Sequence, residues 1–358
     1  MSPLVPLRPD LKALTGYHSP QVAAEVRLNT NESPFPPPES WRDDLFGAIE
    51  RIDFNRYPDR GAHRLRRALA ELHGVTPDEV FCANGSNEVI QCLCLAYGGP
   101  GRAAAVFEPT YALHGHICAL TGTEVVVGSR ADDFTLVDAE IDRVLAAEPI
   151  IAFLCSPNNP TGRAEPPEVV RRVLDRAAGL VVVDEAYGQF ARWSALELRD
   201  ASERSRRLVV LRTFSKTWSM AASRLGYLIA DPEVVAACEQ VALPYHLSAL
   251  TQAAGVLALR YQAEMEARVA VVAEERGRLA AGLAGLDVEA WPSDANFILF
   301  RPARPAAEVW QALLDQSVLV RDCSGWAGLP GCLRVTVGTP PENDRFLVAL
   351  EKALEVGT

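Results

Sequence analysis

The chain of 358 residues is 49% hydrophobic and carries a formal net charge of -11 at pH 7. This length exceeds the size at which single hydrophobic cores usually stop growing, so we expect two domains. The negative charge and the scattered Lys and Arg residues argue against a nucleic-acid-binding surface, which needs clustered positive charge. The composition favours chemistry on small molecules.

The cysteines and the N-terminus indicate a reduced protein that is not exported. The eight cysteines lie mostly inside apolar runs and form no C-x-x-C pair, so we interpret them as core residues of a cytoplasmic protein. His114, His116 and Cys118 in "LHGHICAL" have no distant partner ligands, so we interpret them as packing residues and predict no metal. The sequence shows neither the apolar core of a signal peptide nor a run long enough to span a membrane.

The pattern along the chain predicts an arm followed by two domains. The first forty residues are rich in Pro, Asn and Ser, which predicts an extended arm. From about 75 to 230, apolar runs of strand length alternate with helical segments, which is typical of a mostly parallel sheet covered on both faces. After a long helical stretch, the strands "ANFILF", "VLVRDC" and "CLRVTVG" indicate a small α+β domain. The predicted units are the arm (1–40), the large domain (41–255) and the small domain (256–358).

Polar residues follow several of the apolar runs, at the strand ends where α/β sheets bind ligands. In "CANGSNEV", Gly85 allows a tight turn, and Ser86 or Asn87 can cap a helix. The free N–H groups of that helix would bind an anion, although an ordinary capped turn has the same sequence. In "CSPNNPTG", the prolines and the glycine present Asn158 and Asn159 at a strand end, in a binding turn or a plain loop.

Two further strand ends carry a carboxylate and a lysine. Asp184 in "VVVDEAY" follows an apolar run, so it needs either a buried ion-pair partner or a donor such as a protonated pyridine nitrogen. The stretch "TFSKTWSMAASRLGY" lacks the upstream glycine of a nucleotide phosphate loop. Its Lys216 either turns into water or, desolvated beside a cation, forms a Schiff base with a carbonyl, while Arg224 could hold an anion of the same ligand. This inventory describes pyridoxal 5'-phosphate.

Over nearly its whole length the sequence resembles the fold type I pyridoxal-phosphate aminotransferases, and within them the histidinol-phosphate aminotransferases. The motifs that carry the resemblance, in the family's order, are "LNTNESPFPP", "RYPD", "NGSNEVIQ", "AYGGPGR", "FEPTYALH", "CSPNNPTG", "VVDEAY", "TFSKTWSMAASRLGY", "ANFILF" and "LRVTVGTPPEND". The resemblance implies an α/β fold, in which a large domain with a mostly parallel seven-stranded sheet is joined to a smaller α+β domain and an N-terminal arm. It also implies a homodimer.

The resemblance assigns the cofactor contacts residue by residue. Lys216 would form the internal aldimine and shuttle a proton, with Asp184 on the pyridinium nitrogen and Tyr187 as the third catalytic residue. Asn159 and Tyr187 would hydrogen-bond the ring 3'-oxygen, and Tyr111 would lie against the ring face. The implied phosphate contacts are Gly85, Ser86, Asn87, Thr213, Ser215 and Arg224, with Tyr57 from the neighbouring subunit.

The implied substrate-binding residues are Tyr17, Asn31, Arg321 and Arg334. Arg334 would clamp the carboxylate of an amino donor, and Tyr17 with Arg321 would recognise the phosphate of L-histidinol phosphate. The predicted reaction is the ping-pong transfer of the amino group of L-histidinol phosphate to 2-oxoglutarate, which yields imidazole-acetol phosphate and glutamate in histidine biosynthesis.

Other activities stay open at this point. An aromatic aminotransferase or a threonine-phosphate decarboxylase would use the same cofactor site with another substrate or reaction. A pyridoxal-phosphate-sensing regulator would carry an N-terminal DNA-binding domain, and the roughly forty residues before the first helix leave no room for one.

Overall fold

The computed structural model describes residues 5–12, 14 and 22–355. The strands, in chain order, are β1 (Val26–Leu28), β2 (Val80–Ala83), β3 (Ala103–Glu108), β4 (Glu124–Ser129), β5 (Ile151–Cys155), β6 (Leu180–Asp184), β7 (Leu208–Thr213), β8 (Gly226–Ile229), β9 (Val288–Ala290), β10 (Phe297–Pro302), β11 (Val318–Asp322) and β12 (Leu333–Thr336). They form a seven-stranded sheet and a five-stranded sheet.

The α-helices are α1 (Glu39–Ile49), α2 (His63–His73), α3 (Ser86–Tyr97), α4 (Leu113–Thr121), α5 (Asp138–Leu145), α6 (Pro167–Arg176), α7 (Pro232–Val241), α8 (Ala249–Ala258), α9 (Gln262–Ala284), α10 (Ala306–Asp315) and α11 (Pro340–Glu355). In the described ranges, no helix has both the length and the apolar character needed to cross a membrane.

The large sheet has the strand order β2-β8-β7-β6-β5-β3-β4. The pairs from β7 through β6, β5 and β3 to β4 are parallel, whereas β8 is antiparallel to both of its neighbours. The prediction of a mostly parallel seven-stranded sheet is therefore confirmed.

The central strands of this sheet are buried along their whole length. Alternate residues point to opposite faces, so Val182 packs in the cluster that contains residues of α3, α4 and α7, while its neighbour Val181 packs in the cluster that contains residues of α5 and α6. Burial on both faces explains why these strands consist of continuous apolar runs rather than alternating apolar and polar residues.

The small sheet has the order β1-β11-β12-β10-β9. Strand β1 pairs in parallel with β11, and the remaining pairs are antiparallel. A core that includes Leu279 of α9, Leu313 of α10 and Phe346 of α11 forms against this sheet. Residues 26–28 of the predicted arm thus pair with the small sheet, and the boundaries at 40 and 255 stay a prediction.

The two sheets bring the predicted site residues together. Strands β6 and β7 end at Asp184 and Thr213, and α3 begins at Ser86 beside them. On the small sheet, Arg321 of β11 and Arg334 of β12 are direct register partners. The carboxyl ends of the large-sheet strands and one wall of the small sheet therefore line a common cavity.

Candidate active site

The cavity between the two sheets has a volume of about 430 Å³. The predicted residues that line it are Asn31, Ser86, Asn87, Tyr111, Asn159, Asp184, Tyr187, Thr213, Ser215, Lys216, Arg224, Arg321 and Arg334. Residues as far apart in sequence as Asn31 and Arg334 thus meet in one place.

One end of the cavity combines a helix N-terminus with an arginine. The N-cap residue of α3 is Gly85, and no side chain of the described residues caps the first turn of this helix. Gly85 has a φ of +81°, and a Cβ there would lie only 2.6 Å from Nη2 of Arg224. Arg224 and Thr213 both donate to the hydroxyl of Ser215, at 3.4 and 3.0 Å. The helix end, the guanidinium and the hydroxyls can together hold a phosphate.

Lys216 follows β7 and turns into the cavity. Its Nζ donates to the backbone oxygen of Thr30 at 3.0 Å. The pKa of Lys216 is lowered from 10.5 to about 7, first by desolvation and then by the charges of Arg334 and Arg224, whereas Glu32 opposes them. Near neutral pH a substantial fraction of the molecules therefore carries a neutral, nucleophilic amine.

Asp184 is buried at the floor of the cavity, with 1% of its surface exposed. Its Oδ1 accepts from the backbone N–H of Ala186 at 3.0 Å, and its Oδ2 lies 2.9 Å from Nε2 of His114. Because a carboxylate only accepts, Nε2 carries the proton in this pair. The imidazole is itself stacked on Phe153, with ring centroids 4.8 Å apart. His114 therefore holds the carboxylate in one orientation.

His114 is the main functional residue that the sequence did not assign to the site. Interpreted as a packing residue, it does pack on Phe153, but its hydrogen bond to Asp184 gives it a second task. The available signal was its position three residues after Tyr111, on a helix that begins beside the cavity. Without the fold, nothing in that spacing points to Asp184.

Two tyrosines and three amides line the same cavity as Asp184. Tyr187 is buried, its hydroxyl accepts from Nδ2 of Asn31 at 2.9 Å, and burial raises its pKa. Asn159 accepts from Nη1 of Arg334 through its Oδ1. Tyr111 donates to Oδ1 of Asn87 at 3.0 Å. These contacts fix the directions of the polar groups without closing the space between them.

The two predicted substrate arginines lie side by side on the small sheet. Both are buried, with 8% of Arg321 and 4% of Arg334 exposed. Arg334 donates through Nη2 to the backbone oxygen of Asn29 at 2.9 Å, while its buried Nε has no partner among the described residues. Two adjacent guanidiniums favour an anion between them.

The segment Asn29–Glu32, which follows β1, contributes contacts that the sequence did not reveal. Asn29 and Thr30 contribute backbone oxygens, to Arg334 and Lys216 respectively. Asn31 was predicted to bind substrate; here it has a φ of 56°, holds Tyr187, and is itself fixed by Thr336. This segment, which we call the strap, links the small sheet to the reactive groups.

One predicted residue, Tyr57, lies elsewhere. Tyr57 does not line the cavity of its own chain; it is 80% exposed and stacks on Tyr245 with ring centroids 4.5 Å apart. Tyr17 lies outside the described residues, so the predicted contact with a substrate phosphate stays a prediction.

The residues that line the cavity match the functional groups of pyridoxal phosphate one by one. The helix end with Arg224 suits the phosphate, Asp184 suits the ring nitrogen, and Lys216 suits the aldehyde. The unpartnered Nε of Arg334 and the space that Gly85 leaves beside Arg224 are consistent with a bound anionic ligand. The fold and the cavity are thus those of a class of α/β enzymes that bind an anionic aldehyde cofactor beside a lysine.

Comparison with known proteins places the chain within that class. The model of the family "Aminotransferase class I and II" matches residues 24–350. The histidinol-phosphate aminotransferase of Frankia casuarinae is 46% identical over 98% of this chain and 90% of that protein. The corresponding protein of Corynebacterium glutamicum is 41% identical over 98% of this chain and 97% of its own length. The chain therefore belongs to the class I and II aminotransferases.

A solved structure is similar over almost the whole length. The histidinol-phosphate aminotransferase of Sinorhizobium meliloti, crystallised with pyridoxal-5'-phosphate, has a TM-score of 0.88 and 24% identity, and the match covers 99% of this chain and 98% of that one. This similarity confirms the predicted fold class.

Proposed function

We propose that this aminotransferase uses pyridoxal phosphate to transfer the amino group of L-histidinol phosphate to 2-oxoglutarate, with imidazole-acetol phosphate and glutamate as products. The curated relatives, at 41 and 46% identity over 98% of the chain, support this substrate pair. The observation that carries the proposal is the pair Arg321 and Arg334, which presents two buried guanidiniums on one wall. One pocket can then accept a phosphomonoester in one half-reaction and a dicarboxylate in the other.

The residues of the large sheet would hold the cofactor. The N-terminus of α3 with Arg224, Ser215 and Thr213 binds the phosphate, and Asn159 with Tyr187 orients the ring hydroxyl. When bound, pyridoxal phosphate supplies an aldehyde that exchanges with amines and a ring that withdraws electrons from the amine-bearing carbon. Asp184, held by His114 at 2.9 Å, keeps a proton on the ring nitrogen, because its negative charge favours the protonated form.

Lys216 would move the proton in each half-reaction. Among the described residues, Nζ of Lys216 is the amine that lines the cavity. With a pKa of about 7, it would accept a proton from the donor carbon and hold it at Nζ for the return transfer. The strap carbonyl of Thr30, 3.0 Å from Nζ, would hold the amine beside the reacting atoms whenever it is not bonded to cofactor. The small sheet covers the cavity and limits the access of water.

Arg321→Ala is expected to raise the KM for L-histidinol phosphate about a hundredfold, because charge-assisted hydrogen bonds to the phosphate are lost. Steady-state kinetics with a panel of donors and 2-oxoglutarate measures this, with glutamate and CO2 as products. The KM for L-phenylalanine, which has no phosphate, should change far less. Arg301→Ala is a matched control, since Arg301 lies on the same sheet but pairs with Glu289 at 2.7 Å outside the cavity.

The donor panel also separates the alternatives. Equal KM changes for both donors would contradict phosphate recognition by Arg321 and favour an aromatic aminotransferase. Release of CO2 from L-threonine O-3-phosphate, without formation of glutamate, would favour a decarboxylase instead.

The cysteines bear on the compartment. The eight free thiols suit a reducing compartment, and we propose that the reaction takes place in the cytoplasm.

We also propose that two chains form a homodimer in which Tyr57 reaches the phosphate site of the partner. Large side chains near Tyr57 are exposed: Phe54 by 68%, Leu243 by 74% and Tyr245 by 41%. Such a group of exposed apolar side chains is typical of an interface. A hydrogen bond from the Tyr57 hydroxyl to the cofactor phosphate would complete the phosphate-binding site to which Arg224 belongs.

Tyr57→Phe is expected to raise the Kd for pyridoxal phosphate about tenfold, because one hydrogen bond to a charged group is lost. Sedimentation should give a dimeric mass for both forms. Co-expression of Tyr57→Phe chains with Lys216→Ala chains tests the action across the interface. Half of the intact lysines would then lie beside a normal Tyr57 of the other chain and regain tight binding, whereas unchanged weak binding would contradict the proposal.

A further inference from the structure

Each of the two arginines in the substrate wall lies over an aromatic ring. The guanidinium of Arg321 is 5.6 Å from the ring centroid of Trp326, and that of Arg334 is 5.1 Å from the ring centroid of Phe297. Phe297 belongs to β10 in the core of the small sheet. Trp326 is different, because it lies in the loop between β11 and β12 and was not part of any motif that identified the family.

The aromatic rings offset the repulsion between the two arginines. Arg321 and Arg334 are register partners on neighbouring strands, so their like charges repel each other in a buried site. A carboxylate partner would hold a guanidinium still, but it would also neutralise the charge. The face of an aromatic ring attracts the cation without neutralising it.

The loop fixes the position of the tryptophan ring. The backbone N–H of Trp326 donates to the oxygen of Cys323 at 2.9 Å, and its own oxygen accepts from Leu329 at 3.1 Å. Cys323 and Leu329 are buried in a small cluster with Phe134, against which Trp326 packs. The ring therefore stands on a short, well-anchored loop rather than on a loose surface segment.

We propose that Trp326 is a positioning residue for the phosphorylated donor. It holds the charged guanidinium of Arg321 in place at the wall of the cavity, and it thereby sets the preference for a phosphomonoester over an unphosphorylated donor. This inference rests on the proposed function and deepens it, because it adds a specificity-determining residue outside the cavity lining.

The same small cluster contains a matched control. Trp291 also packs against it, and the guanidinium of Arg301 lies 5.1 Å from the Trp291 ring centroid. Neither Trp291 nor Arg301 lines the cavity. Replacing Trp291 removes a similar ring and a similar arginine contact from the same part of the protein, without touching the substrate wall.

The experiment compares Trp326→Leu, Trp326→Phe and Trp291→Leu as holoenzymes. Trp326→Leu is expected to raise the KM for L-histidinol phosphate about tenfold with little change in kcat, and to weaken the calorimetric Kd of inorganic phosphate by a similar factor. Trp326→Phe keeps an aromatic face and should recover most of both losses. Trp291→Leu should match the wild type in KM and Kd.

Equal KM and Kd values for Trp326→Leu and the wild type would overturn the inference, as would a loss in Trp326→Phe as large as that in Trp326→Leu. If Trp326→Leu does not fold, Trp326→Met replaces it as a flexible side chain of similar reach. The phosphate Kd separates the two proposals. A wild type that does not turn over L-histidinol phosphate refutes the proposed function, while a weaker phosphate Kd in Trp326→Leu would still support the role of the ring.

Discussion

Lys216→Ala is expected to abolish transamination, with a fall in kcat of about five orders of magnitude, because the variant loses both the nucleophile and the proton carrier. The chain contains three lysines, and the other two, Lys12 and Lys352, are exposed and lie outside the cavity. Borohydride treatment of the holoenzyme should therefore attach the cofactor to one peptide, the one that contains Lys216. Lys352→Ala is the control and should keep both the activity and the label.

The pH dependence of cofactor uptake is a second test of the role of Lys216. With its pKa lowered to about 7, the Lys216 amine is charged and unreactive below that pH and neutral above it. The rate at which the apoenzyme takes up pyridoxal phosphate covalently should rise through pH 7 and then level off. An exposed lysine would give a rate that continues to rise towards pH 10. Such a profile, or borohydride labelling that survives Lys216→Ala, would contradict the assignment.

Asp184→Asn is expected to lower kcat by about three orders of magnitude, with a smaller effect on the KM of either substrate. An amide is similar in shape to the carboxylate but has no charge, so it cannot keep the ring nitrogen protonated. Single-turnover kinetics with L-histidinol phosphate measures the step directly. Near-normal turnover would show that the carboxylate does not serve the ring.

Variants of His114 distinguish the effect of the Asp184 charge from the effect of its orientation. In His114→Phe the ring stack on Phe153 can persist, but the hydrogen bond of 2.9 Å to Asp184 is lost. Its kcat should fall about tenfold, much less than in Asp184→Asn, because the carboxylate keeps its charge and its contact with the N–H of Ala186. His114→Gln, which retains a donor, should recover part of that loss. A His114→Phe enzyme as slow as Asp184→Asn would assign the imidazole a larger part than orientation.

The parts of the fold that are continuous in sequence could be predicted. The strands β5, β6 and β7 are mainly apolar runs because both of their faces are buried. Strands β6 and β7 end in the polar residues Asp184 and Thr213, which line the cavity. Strand β8, by contrast, has four residues and directly follows the loop with Arg224. Its antiparallel pairing with β2 joins segments far apart in sequence, so no local pattern indicated its place in the sheet.

The missed parts of the site are contacts rather than residue types. Thr30 and Asn29 act through backbone oxygens, which every residue possesses, so the sequence carries no sign of these roles. His114 and Trp326 act through neighbours, Asp184 and Arg321, that lie 70 positions and 5 positions away. Only the three-dimensional arrangement shows which partner each side chain meets.

The lowered pKa of Lys216 depends on both sheets. The lowered proton affinity of Lys216 depends on desolvation and on the charge of Arg334, and Arg334 belongs to the small sheet. The amine and the charge that tunes it are therefore supplied by different sheets, so the reactivity of Lys216 is a joint property of both sheets and not of the motif that contains the lysine.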